Sequence, residues 1–145
     1  MIDSSTPNQE AAAANPAWSK RAALRLIQRA WVLTGRDRAV RQRVRATRLT
    51  TRWALRDWRL EWTVGLDRGT VRFGRRPARQ PEVIFSWPSA EEFFRNLEAG
   101  CGDRGLETEG DPQARRATEF VRRIFLERLR QVIQYPFNDE GQRLA

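Results

Sequence analysis

The chain has 145 residues, with 27 basic against 18 acidic side chains, no histidine and one cysteine, for a net charge of +9. That length suits one domain, able to bury roughly 70% of its unfolded surface. A single thiol, Cys101, excludes an intrachain disulfide, and no apolar run reaches the ~20 residues of a membrane-spanning helix.

Every basic residue except Lys20 is arginine. Residues 18–60 hold 13 basic and two acidic side chains, a local excess of 11, whereas residues 61–145 hold 14 of each. An anionic partner for the N-terminal third is therefore expected, either a membrane surface or a nucleic acid.

Residues 1–15 are polar and then alanine-rich, which predicts a disordered tail. They offer neither a basic n-region nor an apolar h-region, so the cytoplasm is the expected compartment. The domain is expected over residues 16–135. Asn15-Pro16 pairs an N-cap residue with a proline at the first helical position, predicting a helix from Pro16 to Thr34 stopped by Gly35. Ala23, Ile27, Ala30 and Trp31 share one face of it and Arg21, Arg25 and Arg29 another. Asp37 would cap a shorter helix carrying Val40 and Val44.

From Arg48 the period changes to two. Leu49, Thr51, Trp53 and Leu55 alternate with polar neighbours, as do Leu60, Trp62, Val64 and Leu66. Asp67-Arg68-Gly69 is turn chemistry, after which Val71 and Phe73 resume the alternation as a hairpin. A loop from Gly74 to Pro81 leads to a further strand with Val83, Phe85 and Trp87. Ser89-x-x-Glu92 fits a capping box, and Gly100 would end that helix, whose inward face holds Ala90, Phe93, Phe94 and Leu97. After the connector Gly100–Gly105, a short strand is expected from Leu106 to Glu109. Asp111-Pro112 then opens a helix reaching about Tyr135, with Ala117, Phe120, Val121, Ile124, Phe125, Leu129 and Val132 as its apolar stripe. Pro136 ends it, and residues 136–145 are expected to fray. Helices, then strands, then mixed elements make the chain α+β rather than a regular alternation.

The order of these signals resembles the sterol carrier protein family of lipid-binding domains. The residues that carry the resemblance are Asp67-x-Gly69 in the hairpin, Pro81-Glu82-Val83 before an apolar strand, Ser89 to Phe93 at a helix start, Leu97 before Gly100, and Glu109-Gly110-Asp111 before the last helix. The arginine-Trp strand, the Leu-x-Trp strand and the Glu-Gly-Asp step are similar to the accessory lipid-binding factors of bacterial ubiquinone biosynthesis. The resemblance implies a curved, mainly antiparallel sheet covered by helices, with an apolar cavity between them for a sterol, an acyl chain or an isoprenoid quinone precursor. It implies a carrier, not an enzyme. The connector Gly100–Gly105 is shorter than the family's and lacks the Phe that commonly packs over the ligand there.

On that reading the cavity lining is Trp62, Val64, Phe73, Phe85, Trp87, Phe93, Phe94, Leu97, Ala117, Phe120, Val121, Ile124 and Phe125. The same residues would serve equally as a packed core, since pocket and core need the same chemistry and differ in unfilled volume. Arg21, Arg25 and Arg29 beside Trp18 and Trp31 would dock on anionic membrane, at the inner face, although a solvated face or a nucleic-acid surface fits the same pattern. A basic interaction or nucleic-acid module with a filled core is the alternative function, and a protein partner is a further expectation. Glu107, Glu109 and Asp111 alternate near a strand end, where two carboxylates on one face could do acid–base work, although such residues are more often the wet side of a sheet. Cys101 and Gly100-x-Gly102 make neither a nucleophile site nor a phosphate loop. No cofactor, metal site or catalytic group is expected.

Overall fold

The computed structural model describes residues 18–145. Five strands form one open sheet: β1 (Arg48–Leu55), β2 (Leu60–Asp67), β3 (Thr70–Gly74), β4 (Val83–Trp87) and β5 (Glu107–Gly110), in the order β3-β2-β1-β4-β5. The pairing is antiparallel except between β1 and β4. Trp53 stands opposite Trp62 on one side and Phe85 on the other, so the period-two pattern delivers three large rings to one face of three adjacent strands. A 3-10 turn, Arg56–Trp58, joins β1 to β2, with Arg59 in the left-handed region at φ 54°.

Among the described residues four helices accompany the sheet: α1 (Lys20–Arg36), α2 (Arg38–Arg43), α3 (Ala90–Glu98) and α4 (Pro112–Gln134). The expected start of α1 at Asn15-Pro16 lies outside the described residues; the observed helix is capped by Ser19, whose Oγ accepts from the Ala22 N–H at 3.1 Å. Gly35 does not stop α1, which continues to Arg36. Its bare Cα instead lets the helix lie close on β3, where an added Cβ would sit 3.4 Å from Val71 Cβ. Asp37 accepts from Val40 N–H at 3.1 Å, Ser89 from Glu92 N–H at 3.1 Å and Asp111 from Ala114 N–H at 3.0 Å, so all three expected caps form.

The inward stripe of α4 is rotated from the expected one. Ala114, Thr118, Val121, Phe125, Leu126, Leu129 and Val132 are buried, whereas Ala117, Phe120 and Ile124 are only half-buried. Thr118 can face inward because its hydroxyl donates to the carbonyls of Ala114 and Arg115, which satisfies it within the helix. Apolar type alone favours Ala117 over Thr118, and this local satisfaction reverses the order.

Several loops are tied down. The segment between β3 and β4 crosses the back of the sheet, where Arg52 donates to Ala78 O at 3.2 Å and Thr63 Oγ1 to Arg76 O. Gly110, at φ 130°, passes so close to β4 that a Cβ there would overlap the carbonyl oxygen of Glu82. Glu82 itself joins β1, donating its N–H to Thr50 O at 2.8 Å while its carboxylate accepts from Thr50 N–H at 2.6 Å. Leu106 falls just outside β5. The C-terminal residues expected to fray fold back instead: Phe137 bridges Arg143, and Leu144 N–H donates to Pro136 O at 2.8 Å.

Asp111→Ala removes the acceptor for an otherwise orphan donor at the start of α4 and is expected to cost ~1 kcal/mol. Chemical denaturation checks it; an unchanged midpoint would show that the cap contributes nothing.

Candidate functional site

The residues expected to line a cavity converge between the sheet and the helices. Trp62, Val64, Phe85, Trp87, Phe93, Phe94, Leu97, Val121 and Phe125 are buried in one cluster. Phe73, Phe120 and Ile124 pack at its margin, and Ala117 stands apart from it, half-buried on α4. Phe120 is turned outward under two guanidinium groups, Arg43 at 4.5 Å and Arg123 at 5.6 Å from its ring centre.

At the centre lies Trp53, a residue assigned to a strand by its period but not to the site. Its ring meets Trp31 at 5.1 Å, Trp62 at 6.3 Å, Phe85 at 4.3 Å, Trp87 at 6.2 Å and Phe125 at 5.4 Å. The period-two run that places it opposite Trp62 is the signal for it. Trp31 stacks flat on Phe125, centroids 4.1 Å apart and planes 9° from parallel. Where a cavity is implied by resemblance, rings touch rings.

The indole N–H groups divide into two kinds. Trp53 donates to Thr51 Oγ1 at 2.8 Å, and that hydroxyl donates to Val64 O at 2.7 Å. Trp87 donates to Gly102 O at 3.0 Å. Trp31 and Trp62 are equally buried, yet among the described residues neither Nε1 has an acceptor. A buried donor left unpaired costs about 1–3 kcal/mol, so two of them in one core require a reason.

A cleft of about 580 Å³ opens beside this core, between the end of α3, the connector and α4. Leu97 and Leu126 line it and also belong to the core, with Arg104, Arg123 and Arg130 around it, together with Asp103, Glu127 and the half-exposed Cys101. Asp103 is engaged by Arg122 at 3.1 Å.

The expected docking face on α1 does not hold together. Trp31 is 1% exposed, because its ring fills the core; it cannot reach a headgroup. Trp18 is half-buried, edge-on to Phe94 at 5.1 Å. Arg21 is exposed, but Arg25 Nε donates to Leu144 O at 2.8 Å, and Arg29 meets Asp139 at 3.1 Å with only 16% of its side chain exposed. Arg36 binds the same carboxylate at 2.7 Å. The folded-back tail therefore occupies much of the basic face of α1. Hydrogen bonds from Arg36, and then from Arg29, hold the Asp139 carboxyl down to about 2 from 3.8.

The carboxylates near β5 do not pair for acid–base work. Glu107 meets Arg56 at 3.0 Å, Asp111 caps α4, and Glu109 is exposed. Asp37 ties α2 to α4 through Arg128 at 3.0 Å; its carboxyl lies below the usual range, chiefly because the Val40 N–H bonds it, with Arg128 adding to the effect.

The fold is that of a sterol-carrier-like domain. The solution structure of TT1886 from Thermus thermophilus, a conserved hypothetical protein and candidate sterol carrier protein, matches with a TM-score of 0.53 at 13% identity, over 74% of this chain and 85% of that one. UbiJ-SCP2, a ubiquinone synthesis protein, matches at a TM-score of 0.44 and 18% identity over 70% of this chain and 87% of that one. The inverting sec-alkylsulfatase Pisa1 from Pseudomonas sp. matches at 0.40 and 10% identity; the match covers 60% of this chain and only 14% of the sulfatase. No family model matches the chain, and no curated protein does.

Two outcomes follow. Trp53→Ala removes the ring on which five others rest and is expected to cost about 3–5 kcal/mol by chemical denaturation. A loss under about 1 kcal/mol would mean the neighbours close the gap without it. Because the Asp139 carboxyl is lowered on folding, its contribution is fully present above the unfolded value and lost as pH falls from 3.8 through about 2. The protection factors of the amides of residues 137–144, taken against their intrinsic exchange at each pH, should therefore fall through that window. In Asp139→Asn the tail should be less protected at neutral pH, with the acid-dependent step reduced.

Proposed function

We propose that this chain is a non-catalytic carrier that holds an apolar ligand between its sheet and helices and presents it at a membrane or to a protein partner. The observation that carries this reading is the pair of buried, unpartnered indole donors, Trp31 and Trp62, inside the aromatic interior of a sterol-carrier-like fold. A ligand with an apolar body and an acceptor oxygen supplies what the chain's own atoms do not. Sterols, acyl chains and isoprenoid quinone precursors all have this form. Loading requires rings now in contact to part. The cleft bounded by Leu97 and Leu126 is the proposed mouth, since both side chains border cleft and core alike. A cytoplasmic protein working peripherally at the inner membrane face fits such a role.

The direct ring contacts around Trp53 favour a second reading, an interaction module with a filled core. Organic extraction and native mass spectrometry of the purified protein separate the two. The carrier reading expects a retained lipid, or saturable uptake of a fluorescent fatty acid, with lower affinity in Trp62→Phe by roughly 2–13-fold, the worth of one ordinary hydrogen bond. A mass equal to the bare polypeptide, together with no saturable uptake, would leave the filled-core reading in its place.

A further inference from the structure

Three arginines of the N-terminal third that the C-terminal tail does not occupy, Arg38, Arg41 and Arg45, gather at another place. A cleft of about 380 Å³ between α2 and the β2–β3 turn is lined by Arg38, Arg41, Gln42, Arg45, Arg68, Gly69 and Thr70. Arg38, Arg41 and Arg45 recur at intervals of three and four residues, which puts them on one side of α2 and its C-terminal extension. Arg68 faces them from the hairpin tip. No carboxylate lines the cleft. Among the described residues, Arg38, Arg41 and Arg45 form no ion pair, and Arg68 has only the exposed Asp67 at 3.3 Å.

The two walls are fixed to each other by backbone. Arg68 N–H donates to Thr47 O at 2.9 Å and Gly69 N–H to Val44 O at 3.1 Å. The turn therefore closes onto the end of α2 rather than projecting into solvent. Both of its central residues have positive φ, 49° at Arg68 and 95° at Gly69. A two-residue turn of this kind favours Asn-Gly or Asp-Gly. Arginine in the left-handed region is an unfavourable choice for the turn itself. It does place Arg68 across the cleft from the three others, on a backbone fixed by those two hydrogen bonds.

We propose that this cleft is a binding site for a compact phosphate group, with Arg38, Arg41, Arg45 and Arg68 as its ligands. Guanidinium groups match phosphate oxygens in charge and geometry, and several around one concavity favour a small, multiply charged group over a single carboxylate. The cleft has no aromatic side chain, so it has no platform on which the bases of a single-stranded nucleic acid could stack. A phosphomonoester lipid headgroup, as in phosphatidic acid, and a soluble phosphate monoester present the same chemistry. The site does not depend on the carrier reading and would stand if the core proved to be permanently filled.

The test uses the full chain, with pyrophosphate and a single-stranded oligonucleotide as probes in isothermal titration and vesicles of phosphatidylcholine with or without phosphatidic acid in flotation. Wild-type protein is expected to bind pyrophosphate saturably, more weakly as salt rises. The double variant Arg41→Gln/Arg45→Gln should lose at least tenfold in affinity with an unchanged melting temperature. Arg68→Gly, which relieves the turn's backbone while removing one ligand, should lose several-fold and remain folded. Arg115→Gln/Arg116→Gln removes the same charge as the first variant from an exposed part of α4 and should bind as wild type does. Vesicle binding that requires phosphatidic acid and yields to pyrophosphate identifies a headgroup as the source; pyrophosphate binding without vesicle binding identifies a soluble ester. Equal losses in the α4 control, no saturable binding to pyrophosphate or vesicles, or binding to the oligonucleotide alone would overturn the proposal.

Discussion

The structure depends on the contact of one indole, Trp53, with the rings around it. Strand β1 is the middle strand of five, so a side chain on its inner face is within reach of both neighbouring strands and of the covering helices. Trp53 touches β2 through Trp62, β4 through Phe85 and Trp87, α1 through Trp31 and α4 through Phe125. Aromatic pairs contribute about 0.5–1.5 kcal/mol each beyond simple burial. The polar end of this ring is served as well, by the relay through Thr51 to Val64 O. Sheet and helices are thereby joined through a single side chain that leaves nothing unpaired.

Trp31 and Trp62 lack that provision, and on the proposed carrier reading the difference separates structure from function within one cluster. Shape complementarity alone could be met by phenylalanine, which has no donor to strand. An indole whose N–H goes unserved adds a cost without adding much area. On that reading a ligand offsets the cost, which is why the two rings carry more weight in the proposal than the larger number of satisfied aromatics around them.

Local chemistry is legible in the sequence, and relations between distant elements are not. The strands declare themselves by alternation, and Ser89, Asp37 and Asp111 mark helix starts because capping is a contact within three residues. Trp31 misleads for a physical reason: a tryptophan one turn from arginines suits a membrane interface or a core equally, and only the stacking partner Phe125, far along the chain, decides. The α4 stripe is rotated because Thr118 hides its polarity in its own helix. The tail's position rests on Asp139 finding Arg29 and Arg36, 110 and 103 residues away, which no local pattern announces. The same event draws Arg29 and Arg36 into ion pairs at α1, whereas Arg38, Arg41 and Arg45 around α2 have none among the described residues.

Gly110 extends this beyond the present sequence. The residue is exposed, and exposed positions are ordinarily where a protein drifts freely. Here the space a side chain needs is already taken by the backbone of Glu82, and the φ of 130° is one that side chains resist. Any substitution must push β5 away from β4 and disturb Glu82, which also holds Thr50 of β1. For anyone diversifying this scaffold, solvent exposure is thus a poor guide at position 110. A surface library should hold it as glycine while leaving neighbouring Glu109 open to change.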